Sequence, residues 1–134
     1  MKNIALPYAV MHYEDPIVSI IFKEKSQLGF LEIRELTRNA EKLSGGKYYF
    51  TLCYLPEKIN ITPLGKQVAS DLKEAPLCKG SAIIAKKDIV KTSANFFYKA
   101  NRSKFMFKVF TDGQEAREWL LSQKDEQDRY NEAG

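Results

Sequence analysis

Near the start of the chain, apolar residues come in short unbroken runs rather than at helical steps. AVMHY and IVSIIF flank Glu14-Asp15-Pro16. Proline closes the first run and β-branched residues fill the second, so the pair predicts a β-hairpin. The period then changes. In QLGFLEIRELTRNAEKLSGG the apolar residues Phe30, Ile33, Leu36, Ala40 and Leu43 recur at steps of three and four, one face of a helix. Gly45-Gly46 ends it, because glycine takes the left-handed cap conformation without steric cost. YYFTLCYL is short and aromatic, and predicts a largely buried strand.

The alternation continues through NITPLGKQVASDLKEAP. Thr62 can cap a helix there, and Pro63 suits a first turn that needs no backbone donor. Leu64, Val68 and Leu72 recur every fourth residue as its expected apolar edge. GSAIIAKK predicts a strand, DIVKTSANFFYKAN a helix and FMFKVF another strand. TDGQEAREWLLSQ predicts a final helix, with Thr111 and Gln114 spaced as a capping box and Ala116, Trp119 and Leu120 on its apolar face. The pattern is a hairpin followed by alternating helices and strands. That order predicts an α/β fold with a mixed, mostly parallel sheet, right-handed crossovers and about four helices. A single domain is expected over residues 1–122. The polar stretch 123–134 is expected to fray or to extend the last helix.

Three stretches resemble the SpoIIAA-like group of STAS domains, bacterial antagonists of anti-sigma factors, and in particular the small uncharacterised STAS-like proteins. They are INITPLGKQVAS, SANFFYKANRSKFMFKVF and VFTDGQEAREWL, and with the element order they extend the resemblance over about residues 8–122. The resemblance implies a regulatory module that binds protein partners. In that group a serine opening the helix after the third strand accepts phosphate, and the matching position is Thr62. The group shows an Asp-Ser-Ser-Gly type sequence there, whereas this chain has Asn60-Ile61-Thr62-Pro63. A helix cap is therefore the expected role of Thr62, and phosphate acceptor the weaker one. Phosphate at a helix N-terminus would be electrostatically favourable.

Composition narrows the function classes. The chain has 134 residues, 44% hydrophobic and 28% charged, as in a folded soluble domain. No run approaches the ~20 apolar residues of a membrane span, and no export signal is evident, so a cytoplasmic protein is expected. Cys53 and Cys78 lack metal or redox spacing and are expected as reduced core thiols. His12 stands alone as the one histidine. No phosphate-binding glycine loop or nucleophile elbow occurs. No cofactor, metal or catalytic residue is assigned, and an enzyme is not expected.

Charge is unevenly spread within a net of +4. Residues 86–108 carry seven basic side chains against Asp88 alone, and residues 109–134 carry three basic and seven acidic ones. On a helix over 88–101, Ile89, Ser93, Phe96 and Ala100 form one stripe beside Val90, Ala94 and Phe97. Lys91, Asn95, Lys99 and Arg102 line the far side. Rings and cations fall on different faces, whereas single-stranded nucleic acid calls for interleaved ones. The basic row is expected to be a solvated face, or a surface for an acidic partner, before a weak nucleic-acid site. The combined expectation is a non-enzymatic regulatory or protein-interaction module, with a homodimer compatible. The alternative is a small-ligand protein holding a lipid or nucleotide.

Overall fold

The computed structural model describes residues 3–65, 75–86 and 106–133. Eight strands and two complete helices fall within them. In chain order they are β1 (Asn3–Ala5), β2 (Ala9–Glu14), β3 (Ile17–Phe22), β4 (Ser26–Leu28), α1 (Phe30–Ser44), β5 (Tyr49–Tyr54), β6 (Ile59–Ile61), β7 (Cys78–Ile84), β8 (Met106–Phe110) and α2 (Gly113–Ala133). Another helix opens at Pro63. The helix expected over 88–101 lies outside the described residues, and so do Lys91, Asn95, Lys99, Arg102, Phe96 and Phe97.

Six strands form the main sheet in the order β1-β2-β3-β5-β7-β8. β1, β2 and β3 are antiparallel neighbours, and Asp15-Pro16 turns β2 into β3 with Glu14 opposite Ile17. From β3 onward the pairs are parallel: β3 with β5, β5 with β7, β7 with β8. This is the mixed, mostly parallel sheet with an N-terminal hairpin that the sequence predicts. β1 was not anticipated, because NIA is too short to show a period. Nor were β4 and β6, three residues each, which pair parallel in a small second sheet.

Apolar alternation along the central strands supplies both faces of the sheet. Val18, Ile20 and Phe22 of β3 join Ala9, Met11 and Tyr49 against Leu36, Ala40 and Leu43 of α1. Ile17 of β3 takes the opposite face. There it joins Phe50, Leu52, Ala82 and Phe110 under Ala116 and Leu120 of α2. The Trp119 ring packs on Phe110 at 5.9 Å between centroids. The α1 face is the one its period predicts, and Gly45 ends the helix with φ 67°.

Two local expectations are corrected. Asp112, not Thr111, caps α2: its Oδ2 accepts the Glu115 N–H at 3.0 Å, while Gln114 bonds Glu118 instead. A carboxylate is favoured there by the partial positive charge of the helix start. Leu64, expected on a buried edge, is 53% exposed. The inward position of that turn belongs to Gly65, which lies directly against the Leu28 carbonyl. The polar stretch after Ser122 continues α2 to Ala133, the second of its two expected forms. Lys124 and Asp128 bridge one turn apart at 2.8 Å, and Tyr48 donates to Asp128 at 2.9 Å. Both partners hold the Asp128 carboxyl below its ordinary pKa, the Lys124 hydrogen bond most.

Candidate functional site

The described surface concentrates its unusual features where two helices begin side by side. β3, β4 and α1 follow one another as strand, turn, short strand and helix. β5, β6 and the helix opening at Pro63 repeat the scheme. Residues 17–21 of β3 and all three of β4 pair with the residue 33 positions later, as Ile17 with Phe50 and Ser26 with Ile59. The intervening turns touch at the same spacing: Glu24 Oε1 accepts the Glu57 N–H at 2.9 Å. Lys25 N–H donates to the Lys58 carbonyl at 2.6 Å. The two units are thus parallel copies in contact from the paired strands to the starts of their helices.

Their helix starts divide one capping scheme between them. In α1, Glu32 Oε1 reaches back to the Gly29 N–H at 2.8 Å. In the other helix, Thr62 Oγ1 accepts the Gly65 N–H at 3.0 Å. These are the two halves of a capping box, one on each helix. Thr62 N–H also continues the small sheet, donating to the Leu28 carbonyl at 2.9 Å. Gly65 lets the two starts meet. A Cβ there would lie 2.7 Å from the Leu28 oxygen and 3.2 Å from both the Gly29 carbonyl carbon and Thr62 Oγ1. Thr62 is accordingly a half-buried cap with its oxygen already engaged.

Equivalent positions two residues past each short strand's flanking cap are Leu31 and Leu64. They are 72% and 53% exposed, the most exposed large apolar residues described. Beside Leu31 a shallow open groove is lined by Phe30, Glu32, Arg34, Glu35 and Arg38. Glu35 is drawn to one wall by Tyr8, whose hydroxyl donates to Oε1 at 2.5 Å. Burial, reinforced by that carboxylate, raises the Tyr8 phenol, so it stays a donor at neutral pH. The Arg34 guanidinium sits 5.3 Å from the Phe30 ring centre.

The remaining chemically versatile side chains lie elsewhere. His12 is exposed on β2, hydrogen-bonded to Asn3. Cys53 and Cys78 are free thiols on the central strands. Burial pushes them up to about 12 and about 11, and protonated thiols are poor nucleophiles and ligands. Thr51 Oγ1 donates to Ser81 Oγ at 2.7 Å between the same two strands. Among the described residues no cluster of three or more His, Cys, Asp or Glu could hold a metal ion, and no helix is long and apolar enough to cross a membrane.

Sequence reasoning placed Thr62 correctly as a cap but passed over Leu31, Gly65 and the junction itself. A signal was present. At the same 33-residue spacing, Glu24-Lys25 matches Glu57-Lys58 and Leu31 matches Leu64.

Sheet order and the placement of α1 and α2 define a SpoIIAA-like fold. A solved structure with that fold is similar over most of its length: an uncharacterised protein of the DUF3478 family from Shewanella loihica PV-4. The match has a TM-score of 0.57 at 17% identity and covers 84% of this chain and 91% of that one. Comparison with curated proteins finds no match. The chain itself belongs to the family described as domain of unknown function DUF7793, which matches residues 11–124.

Proposed function

We propose that the protein is a non-enzymatic regulatory module that works by binding another protein at the junction of its two helix starts. The observation that carries this reading is the pair Leu31 and Leu64, repeated at equivalent positions and exposed to 72% and 53%. Burying a leucine against a partner is worth about 1.5–3 kcal/mol. Exposed apolar side chains grouped at one place are characteristic of interaction sites. In this reading Thr62 serves as the cap of the helix opening at Pro63, its Oγ1 accepting the Gly65 N–H.

The test is site-specific photo-crosslinking in the native host, with the probe at Leu31, at Leu64, and at exposed Lys79 on β7 as control. A discrete adduct from the first two positions and none from the third is expected. The crosslinked protein is then reconstituted from purified components and challenged with Leu31→Ser and Leu64→Ser. Identical adducts from all three positions, or reconstituted binding that both substitutions leave unchanged, would refute the reading.

A further inference from the structure

We infer that the outer face of the small β4–β6 sheet, continued onto the junction leucines, takes an extended acidic segment of a partner protein. The carboxylates of that segment sit between Lys25 and Lys58, and its apolar side chains reach Leu31 and Leu64. The inference rests on the interaction-module reading and names the chemistry of the partner.

The correspondence of the two units carries onto their surface. Starting from the turns, Lys25 corresponds to Lys58, Gln27 to Asn60 and Leu31 to Leu64, and all six are exposed. Each copy therefore repeats one order: cation, carboxamide, cap, leucine. In β4, Ser26 and Leu28 are buried on either side of Gln27, so Gln27 faces outward, with Asn60 as its ladder partner. The Lys25 N–H, bonded to the Lys58 carbonyl, holds the two backbones at strand spacing, ~4.8 Å. Like charges held side by side repel, and a carboxylate placed between them is attracted by both. The nearby carboxylates are engaged elsewhere. Glu24 Oε1 accepts the Glu57 N–H, and Glu57 pairs with Lys86. Among the described residues, the Lys25 and Lys58 side chains make no ion pair or hydrogen bond. Across the two turns, Lys23, Lys25, Lys58 and Lys86 stand against Glu24 and Glu57 alone, so positive charge is in surplus. An uncharged segment would leave the lysine repulsion in place, and a basic one would add to it. Next along, the carboxamides of Gln27 and Asn60 can each donate and accept, which suits the backbone of an extended peptide. From the lysines to the leucines is roughly 15 Å, at ~3.3 Å per strand residue plus a first helical turn, the reach of about five extended residues.

Three synthetic peptides of one length decide the matter by amide chemical-shift mapping on the isotope-labelled full chain. The first carries paired glutamates, a neutral spacer of about four residues and then paired leucines. The second replaces glutamate with lysine, and the third replaces leucine with serine. The first is expected to shift the amides of residues 25–31 and 58–64 together and to bind about tenfold more tightly than either other. Its advantage over the lysine peptide should shrink as salt screens the charges. Combining Lys25→Glu with Lys58→Glu should reverse the preference, so that the lysine peptide binds the better, and Lys25→Gln with Lys58→Gln should erase it. Circular dichroism of both exposed-site variants should match the parent. Equal binding of acidic and basic peptides, shifts confined to other surfaces, or an acidic preference that survives both pairs of substitutions would overturn the inference. A partner crosslinked through Leu31 and Leu64 whose reconstituted binding ignores the lysine substitutions would also overturn it, while leaving the broader reading standing.

Discussion

Replacing Gly65 with alanine sets two effects of known size against each other. In a helix interior, alanine is favoured over glycine by about 0.8–1.0 kcal/mol. Its backbone at this position raises no objection, since only Gly45 and Gly46 have φ in the left-handed range among the described glycines. The added methyl, however, falls 2.7 Å from the Leu28 carbonyl oxygen, well inside contact distance, and 3.2 Å from the Gly29 carbonyl carbon. Both are backbone atoms of the β4–α1 junction and cannot swing aside as a side chain tip would. The chain must shift by several tenths of an ångström, pulling on the Thr62–Leu28 and Gly65–Thr62 hydrogen bonds. Overpacking of this kind costs about 1–3 kcal/mol. Because the contacts are with backbone atoms, the upper part of that range applies, about 2–3 kcal/mol, and subtracting a helix-propensity gain of about 1 kcal/mol leaves a net destabilisation of roughly 1–2 kcal/mol. Urea unfolding of parent and variant, followed by circular dichroism and by fluorescence of the single tryptophan, Trp119, measures it directly. Gly29→Ala is the control. Its methyl would meet Glu32 Oε1 at 3.0 Å, the far end of a flexible side chain, so a smaller cost is expected. A Gly65→Ala protein as stable as its parent, or more so, would refute the close approach of the two helix starts.

Other outcomes follow from the same contacts. Thr62→Ala removes the acceptor of the Gly65 N–H and should cost about 1 kcal/mol in thermal or urea unfolding. Thr62→Ser should restore most of the loss, as a cap requires. Leu120→Ala, at a position with 0% exposure, should cost about 2–5 kcal/mol, whereas neighbouring Leu121→Ala, 41% exposed, should stay within about 0.5 kcal/mol. The buried thiols give stability a pH dependence. Their folded pKa values, about 12 and about 11, exceed the ordinary 9.0, so above pH 9 the unfolded chain releases its thiol protons first. Stability should begin to fall as pH climbs from 9 to 10, a first step that Cys53→Ala with Cys78→Ala should remove, while above 10 the raised phenols of Tyr8, Tyr13, Tyr48 and Tyr49 add a loss that the double substitution leaves in place. For the same reason a thiol reagent at pH 8 should label the native protein slowly and the urea-unfolded protein at once.

Long periodic signals were legible and short ones were not. The fifteen residues of α1 announced their buried face through Leu36, Ala40 and Leu43, and Gly45 announced the end. Runs such as IVSIIF and GSAIIA fixed the parallel core, because strands covered on both faces need apolar residues throughout. Three-residue strands carry no period, so β1, β4 and β6 stayed hidden, and with them the junction that β4 and β6 create. Leu64 misled for a related reason. Its four-residue spacing to Val68 and Leu72 satisfied a helical template, yet position within the first turn, beside a glycine pressed on Leu28, directed it outward. Asp112 outcompeted Thr111 because hydroxyl and carboxylate both suit a cap and sequence spacing alone does not rank them. Thr62 was read correctly, since a β-branched hydroxyl before proline has few other uses at a helix start.

The shared spacing of the two ladders constrains how the length of this chain can change. β3 pairs with β5 and β4 pairs with β6 at the same separation, like two rails laid to one gauge. A residue added after α1, around Gly45–Lys47, lengthens both separations together and leaves each pairing intact. A residue added to the turn at Lys23–Lys25 alone changes one separation and not the other. It must then bulge, or be matched by a second insertion in Leu55–Lys58. Loops that look equally exposed therefore differ in their freedom to vary. The segment after α1 is the natural place to graft a tag or a new epitope, and the two turns are expected to gain or lose residues only as a pair.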